Sequence, residues 1–444
     1  MKTAIIILIN KIVYFIGKLV GKGSSYPGKL ALKLDKDILK KVKLPENIIM
    51  VTGSNGKTST VGMICKVLED NGYNVGCNKE GANQTEGVTT MILNCCNLKG
   101  EVKKDILVIE SDEKYTRHTV KHFKPKYLVV TNLYRDQMTR SGHPELVYDV
   151  VKDAISDGIH LILNTDDPLS SMYGLNRENV TYFGMNENEL VKKENTSAYD
   201  DDKYCPNCKE VMNYEYYHFN HIGKYKCQNC GHERKNPNYA ITSLDLKNGI
   251  MKINEEYEVS IALRSIYNAY NLLAAFAVCD LVGVTERNII KSLNNYIINN
   301  GRIENFKVNN TDGMVLVSKH ENSISYNQSL LYIKNENKKC TVVVIVDAIS
   351  RRYYTAATYW LWDIDFELLN TECVDNIVLS GKYAYDLAMR FEHTNIEKEK
   401  IIIEPDINLM IDKLKDMNNN YIYTVTCFKD KSTFLKLLKD KEGK

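Results

Sequence analysis

Short apolar runs alternate with stretches of helical spacing along most of this chain. The runs at 48–52, 106–110, 127–132 and 160–164 are four to six residues long and read as buried strands. From residue 47 to about 300, strands and helices take turns, which predicts a mostly parallel, doubly wound sheet with helices on both faces. A polar, acidic stretch at 187–203 reads as a linker into an insertion. After residue 301 a second alternating series begins, with strands expected at 314–318, 341–347, 376–380, 401–404 and 421–426. The expected organisation is an N-terminal helical segment (1–45), a larger α/β domain (46–300) and a smaller, Rossmann-like α/β domain (301–444). No long-period repeat or low-complexity tract interrupts it.

Residues 3–20 follow a different pattern. Ile5, Leu8, Ile9, Ile12, Ile16, Leu19 and Val20 share one helical face, which predicts a helix packed on the protein body. Shallow contact with a membrane surface, with Lys11, Lys18 and Lys22 at the headgroups, is the alternative. A membrane span needs about 20 predominantly apolar residues, and Lys11 near the centre argues against one. No small-residue cleavage site follows, so a signal peptide is not expected.

The 444 residues are too many for one ordinary core, and 44% hydrophobic with 26% charged residues is a soluble, globular balance. A formal net charge of +2 gives no electrostatic footprint for wholesale nucleic-acid binding. Of twelve cysteines, four form two Cys-x-x-Cys pairs and the others are scattered, which fits a reducing cytoplasm and one metal site.

The chemistry concentrates first at Thr52-Gly53-Ser54-Asn55-Gly56-Lys57-Thr58-Ser59, where a strand turns through glycines into a helix. Such a turn aims backbone N–H groups at an anion, Lys57 adds positive charge, and the Thr58 hydroxyl can hold Mg²⁺. Val51 stands where the general Walker pattern has its first glycine. Glu110 ends the run Ile106-Leu107-Val108-Ile109, at the sheet edge where ligands of doubly wound folds bind, and is a candidate Mg²⁺ partner. Asp112 and Glu113 are left without a role. Cys205, Cys208, Cys227 and Cys230, the two pairs 18 residues apart, have the spacing of a four-cysteine zinc ribbon. Four thiolates leave no open coordination position, so such a metal is structural; redox pairs are the alternative. His218, His221 and His232 read as loop residues and not as ligands.

The 52–58 segment resembles the phosphate loop of the Mur ligases. Further stretches are similar to one branch of that family, the MurT subunits of lipid II isoglutaminyl synthase. These are Gly81-Ala82-Asn83, Thr131-Asn132-Leu133-Tyr134-Arg135-Asp136-Gln137, Leu163-Asn164-Thr165-Asp166-Asp167-Pro168, Tyr267-Asn268-Ala269-Tyr270-Asn271 and Gly301-Arg302-Ile303-Glu304. The four-cysteine insertion is the most discriminating feature, since ordinary Mur ligases lack it. The resemblance runs over almost the whole chain.

It implies a Mur-type ATPase domain with an inserted ribbon at about 204–233, and an ATP-dependent amidation. The α-carboxylate of D-glutamate in the lipid II stem peptide is phosphorylated, and ammonia converts the acyl phosphate to D-isoglutamine. Gly53, Ser54, Asn55, Gly56, Lys57, Thr58 and Ser59, with Asn83, Asn271 and Arg302, are then expected at ATP, and Thr58 and Glu110 at Mg²⁺. Asn271 as a helix cap and Arg302 as an interdomain ion pair are the alternatives. Asp136 is expected in the same cleft as Asn83.

The family's ammonia comes from a glutaminase subunit, GatD, whose Cys and His need an aspartate lent by this subunit. Asp347 holds that position; Asp363 and Asp365 are alternatives. The implied setting is cytoplasmic, at or near the inner membrane face where the lipid-linked acceptor lies. The chain departs from the family's pattern at Lys319-His320-Glu321-Asn322-Ser323, after Asp347 (Ala348-Ile349-Ser350-Arg351-Arg352-Tyr353), and at Ser380-Gly381-Lys382, where Lys replaces Arg. These changes keep two other readings open: a Mur-like ligase with a different carboxylate acceptor, and a non-catalytic ATP-binding subunit.

Overall fold

A computed structural model describes residues 1–19, 23–78, 81–201, 203–262, 264–297, 302–348, 357–418 and 420–442. Val20, Lys22, Gly301 and the segment 349–353, all named above, lie outside the described residues. The chain divides into two compact units. The first comprises the described residues of Met1–Tyr134, His143–Thr196 and Asp200–Ile297. The second comprises Arg135–Gly142, Ser197–Tyr199 and the described residues of Ile298–Lys444.

In the first unit the strands are β1 (Asn47–Thr52), β2 (Val75–Cys77), β3 (Ile106–Glu110), β4 (Tyr127–Val130), β5 (His160–Asn164) and β6 (Val180–Met185). They are followed by β7 (Asn213–Phe219), β8 (Ile222–Lys226), β9 (Tyr239–Asp245), β10 (Ile250–Ile253) and β11 (Tyr257–Ser260). Nine of them form one sheet in the order β11-β10-β9-β6-β5-β4-β1-β3-β2. Within this sheet the pairings from β2 across to β9 are parallel and β9-β10-β11 is an antiparallel meander, while β7 and β8 pair antiparallel in a separate two-stranded sheet.

A strand covered by helices on both faces has no polar face, which is why β1, β3 and β4 are unbroken apolar runs. The chain order reverses around β1: β2 and β3 lie to one side of it, β4 to β6 to the other. Ligands of such sheets sit beyond the carboxyl ends at this reversal. Val51 pairs with Glu110, and Thr52 with Val130, so the ends of β1, β3 and β4 are level there.

The helix expected at 3–20 is present as Lys2–Leu19, but it packs through Ile6, Ile7 and Asn10. Ile5, Leu8, Ile12, Ile16 and Leu19 of the expected stripe are exposed. Two apolar stripes exist on this helix, and a buried Asn10 with partners on the helix Thr85–Cys95 decides which one turns inward.

The second unit holds β12 (Ile303–Val308), β13 (Thr311–Ser318), β14 (Cys340–Ile345), β15 (Val374–Ser380), β16 (Ile401–Glu404) and β17 (Ile422–Cys427). Their order is β12-β13-β17-β14-β15-β16, parallel except for the β12/β13 hairpin. Leu330, Val342, Val344, Leu379 and Phe391 fill one face, and Val343, Ile345, Met410 and Phe434 the other.

Candidate active site and metal centre

The turn after β1 is tied down by its neighbour. Thr131 and Asn132, expected in strand, leave the sheet after Val130 and bind this turn instead. Asn132 O accepts the Ser54 N–H (2.9 Å) and Asn132 Oδ1 accepts the Asn55 N–H (2.9 Å). Thr131 Oγ1 donates to Asn55 O (2.6 Å). Ser54 Oγ donates to Tyr134 O (3.1 Å) and accepts the Tyr134 N–H (2.9 Å), so the Ser54 hydroxyl faces into the loop. Gly53 and Gly56 have φ of +128° and +85°, in the region L side chains rarely adopt.

The helix Lys57–Asp70 starts next, and Thr60 N–H is the first to find an intrahelical acceptor, Gly56 O (2.9 Å). The N–H groups of Lys57, Thr58 and Ser59 therefore face outward at the positive end of the helix, with the exposed Thr58 side chain among them. This cradle is suited to an anion.

Lys57 is buried and donates to Glu113 Oε1 (2.7 Å) and to Gly53 O. Glu113, without a role in the sequence reading, is thus the counter-ion of the loop lysine; its position after an N-capping Asp112 gave no signal of this. Glu110 is buried at the end of β3, and its Oε1 accepts Asn83 Nδ2–H (2.9 Å). Asn78 holds the Glu110 backbone from both sides, accepting its N–H and donating to its carbonyl (2.8 Å each). Thr58 and Glu110 offer the hard oxygen donors that Mg²⁺ takes.

Asn271 lies inside the helix Ile266–Val282, whose N-cap is Ser265, so capping is not its role. Its amide stands against Gly56: a Cβ there would collide with Asn271 Oδ1. Gly56→Ala is therefore expected to weaken binding of a polyphosphate anion such as pyrophosphate at least tenfold while the fold persists. Titration calorimetry checks this, and unchanged affinity would refute the close approach.

The four cysteines converge, their Sγ atoms all within 4.8 Å of one another. Cys205–Cys230 and Cys208–Cys227 are 3.6 and 3.4 Å apart, far beyond a disulfide and near the ~3.8 Å edge of a tetrahedron with 2.3 Å zinc–sulfur bonds. Backbone N–H groups point at the sulfurs: Cys208 and Asn207 toward Cys205, Glu210 toward Cys208, and His232 toward Cys230. Donors of this kind stabilise thiolates; with Asn207 they hold the exposed Cys230 thiol down to about 6, while burial pushes Cys205 up to about 12. The donor set fits zinc.

His218 stands on β7 and not in a loop. Its Nε2 lies 3.0 Å from Met185 O at the end of β6, and His232 Nε2 lies 3.2 Å from Pro168 O at the start of the helix Pro168–Met172, so the two fasten the ribbon to the sheet and to that helix. Asp166, fully buried, receives Arg234 Nε from the ribbon's end, Tyr270 Oη (2.6 Å) and the Met185 N–H (2.6 Å). Its neighbour Asp167 caps the helix Pro168–Met172 and accepts the Leu133 N–H. Burial pushes the Asp167 carboxyl up to about 7 against the N–H groups of Ser170, Leu133 and Leu169.

In the second unit Asp347 lies two residues beyond the end of β14. Its Oδ1 accepts the Lys382 N–H (3.0 Å). Asp430, which no motif or spacing singles out, is buried and accepts the Asp347 N–H (2.8 Å) and the Ala348 N–H (3.1 Å). Burial raises the Asp430 carboxyl above its ordinary range. Asp363 accepts Arg135 Nη1 (2.8 Å), and Asp365 accepts the Ala198 N–H (2.6 Å) and Asn327 Nδ2–H (2.8 Å), so both alternatives are committed to internal bonds. Asp136 is held in this unit by Lys319 and by Asn322 Nδ2 (2.9 Å), whereas Asn83 serves Glu110 in the first. Arg302 lies over the Phe428 ring at 6.0 Å.

Comparison with known proteins identifies two family models, the Mur ligase middle domain over residues 51–279 and the MurT ligase C-terminal domain over residues 320–429. The chain is 34% identical over 394 residues to the lipid II isoglutaminyl synthase (glutamine-hydrolyzing) subunit MurT of Staphylococcus aureus (strain COL), covering 87% of each chain. It is 28% identical over 450 residues to the same subunit of Streptococcus pneumoniae (strain ATCC BAA-255 / R6), covering 100% of this chain and 98% of that one. Among solved structures, the pseudomurein peptide ligase type C from Methanothermus fervidus matches with a TM-score of 0.69 at 22% identity. That match covers 91% of this chain and 80% of the other, and it is a likeness of fold.

Proposed function

The chain belongs to the MurT family of Mur ligases, and from that premise we propose that it is the ATP-dependent synthetase subunit of a lipid II-amidating enzyme. In this reading residues 46–300 form the ATPase domain and 301–444 the domain that meets a GatD-like glutaminase subunit. A carboxylate oxygen of the stem-peptide D-glutamate attacks the γ-phosphorus of ATP, and ADP leaves. Ammonia then attacks the acyl carbon of the acyl phosphate, inorganic phosphate leaves, and loss of a proton gives the amide of D-isoglutamine.

The loop's part is electrostatic. The outward N–H groups of residues 57–59 and the Lys57 ammonium face the phosphates, where negative charge crowds as the phosphoryl group transfers. Glu113 holds Lys57 in place. Thr58 and Glu110 would hold Mg²⁺, which when bound offsets phosphate charge. Asn83 orients the Glu110 carboxylate for this, and Asn271 serves the nucleotide. Cys205, Cys208, Cys227 and Cys230 would hold a structural zinc.

The observation that carries the reading is the level meeting of three strand ends: the anion cradle after β1, Glu110 ending β3, and Thr131-Asn132 bracing the cradle after β4. Its test is reconstitution with a glutaminase subunit, glutamine, Mg-ATP and lipid II, with the stem peptide read by mass spectrometry. Conversion of D-glutamate to D-isoglutamine is expected; phosphate release without that product would point to another acceptor.

Asp347 is the residue proposed to orient the partner's histidine, because among the described residues its carboxylate accepts a backbone N–H, from Lys382, while Asp363 and Asp365 hold side chains of their own unit. Asp347→Asn is expected to lower glutamine-driven amidation by roughly two orders of magnitude or more while amidation with added ammonia survives. Equal loss of both activities would remove Asp347 from that role.

A further inference from the structure

The helix Lys2–Leu19 leaves one apolar face uncovered in its unit. Ile5, Leu8, Ile12, Phe15, Ile16 and Leu19 recur at three- and four-residue steps, and all are exposed, Phe15 to 64% and Leu19 to 73%. The opposite face is fixed. Asn10 Nδ2 donates to Thr90 O (3.2 Å) and Asn94 Oδ1 (3.0 Å), and Lys11 Nζ donates to Asn94 O (2.7 Å). Ile6 and Ile7 are buried beside them, so the helix cannot roll its stripe inward without stranding a buried amide.

Charge singles out the occupant. Residues 1–34 contain six lysines and neither Asp nor Glu, although the whole chain carries a net charge of only +2. Lys2, Lys18, Lys29 and Lys33 of this segment are exposed. Among the described residues no helix is long and apolar enough to cross a membrane. We propose that this helix docks on an anionic lipid surface, lying in the interface with its stripe at the headgroup–acyl boundary and the lysines among the headgroups. A second copy of the chain is a poorer occupant, because self-pairing sets two uniformly basic segments against each other. A protein partner would have to recognise a stripe that offers no hydrogen-bonding group, whereas a bilayer needs none.

Docking of this kind requires neither ATP nor acceptor, so it is tested on the full chain at rest. In flotation, the protein is expected to rise with vesicles of phosphatidylglycerol and phosphatidylcholine and not with phosphatidylcholine alone. The bound fraction should fall several-fold at high salt. The double variant Ile12→Glu/Phe15→Glu should lower it at least tenfold, with an unchanged thermal midpoint because both side chains are exposed. Phe15→Trp, which keeps the stripe apolar, should shift its emission to the blue on anionic vesicles. Absence of flotation, or equal flotation of the double variant, overturns the proposal. So does a dimer that the double variant dissociates, or capture by a protein subunit, in protein that ignores vesicles.

Discussion

Lys57→Ala is expected to lower ATP-dependent turnover by about 10³-fold or more, the largest effect of any single substitution in the loop. A cation aimed at a transferring phosphoryl group is worth roughly 10²–10³ in rate. Here the ammonium also completes the cradle, since it bridges Gly53 O and Glu113 Oε1 across the turn. Truncation has a second consequence. Glu113 would keep its charge in a site where lysine and carboxylate side chains are only 7% and 11% exposed. Removing one partner of a buried pair costs about 3–5 kcal/mol because the other is left uncompensated.

The two effects separate in Lys57→Ala/Glu113→Gln, which removes both charges. That variant should recover most of the lost thermal midpoint and none of the turnover. Thermal melting and phosphate release give the two readouts. A folded Lys57→Ala protein that still amidates lipid II at an appreciable rate would take the lysine out of the mechanism.

What the sequence disclosed follows from which interactions are local. β1, β3 and β5 were legible because strands buried on both faces are unbroken apolar runs, and the two cysteine pairs because a metal knuckle dictates its own spacing. The ends of the runs were less so. Thr131 and Asn132 look like continued strand but are drawn off by the N–H and carbonyl of Asn55, 76 and 77 residues away in sequence. Partners across such distances leave no trace in spacing. That is why spacing alone assigns Glu113 no role beside Lys57 and does not place Asp430 behind Asp347. The N-terminal helix shows another limit. Periodicity reveals that an apolar stripe exists, but which of two stripes is buried depends on where Asn10 finds Thr90 and Asn94.

The same distinction explains the segments around Asp166. Neither Leu163–Pro168 nor Tyr267–Asn271 carries an evident chemical group for phosphoryl transfer apart from Asn271, yet the two meet through the bond from Tyr270 to Asp166. Their joint work is to place the helix that sets Asn271 against Gly56. The ribbon joins this cluster through Arg234, so one buried carboxylate, Asp166, ties the four-cysteine ribbon to the helix that carries Asn271.

That shared carboxylate makes zinc removal the second large effect. The ribbon's own core is Cys205, Met212, Tyr225 and Cys227, with Cys208 and Tyr214 partly buried beside them; half of those six are metal-ligand candidates. So small an apolar core does not hold a fold without its metal. Cys227→Ser, or a chelator, is expected to release the ribbon and with it Arg234, leaving the Asp166 carboxylate without its ionic partner. A loss of about 3–5 kcal/mol follows from the uncompensated charge, which lowers the melting midpoint by roughly 10 °C in a unit of this size. Tyr270 would lose its fixed acceptor, and Asn271, the next residue, its fixed place over Gly56, so Mg-ATP affinity should fall about tenfold. Scanning calorimetry, thiol titration and ATP calorimetry on the same sample measure the three quantities, and re-added zinc should restore all three after chelation but none in Cys227→Ser. If the zinc-free protein melts lower yet binds Mg-ATP as before, the link from Arg234 through Asp166 to Asn271 is broken, and the ribbon is an independent appendage of the ligase.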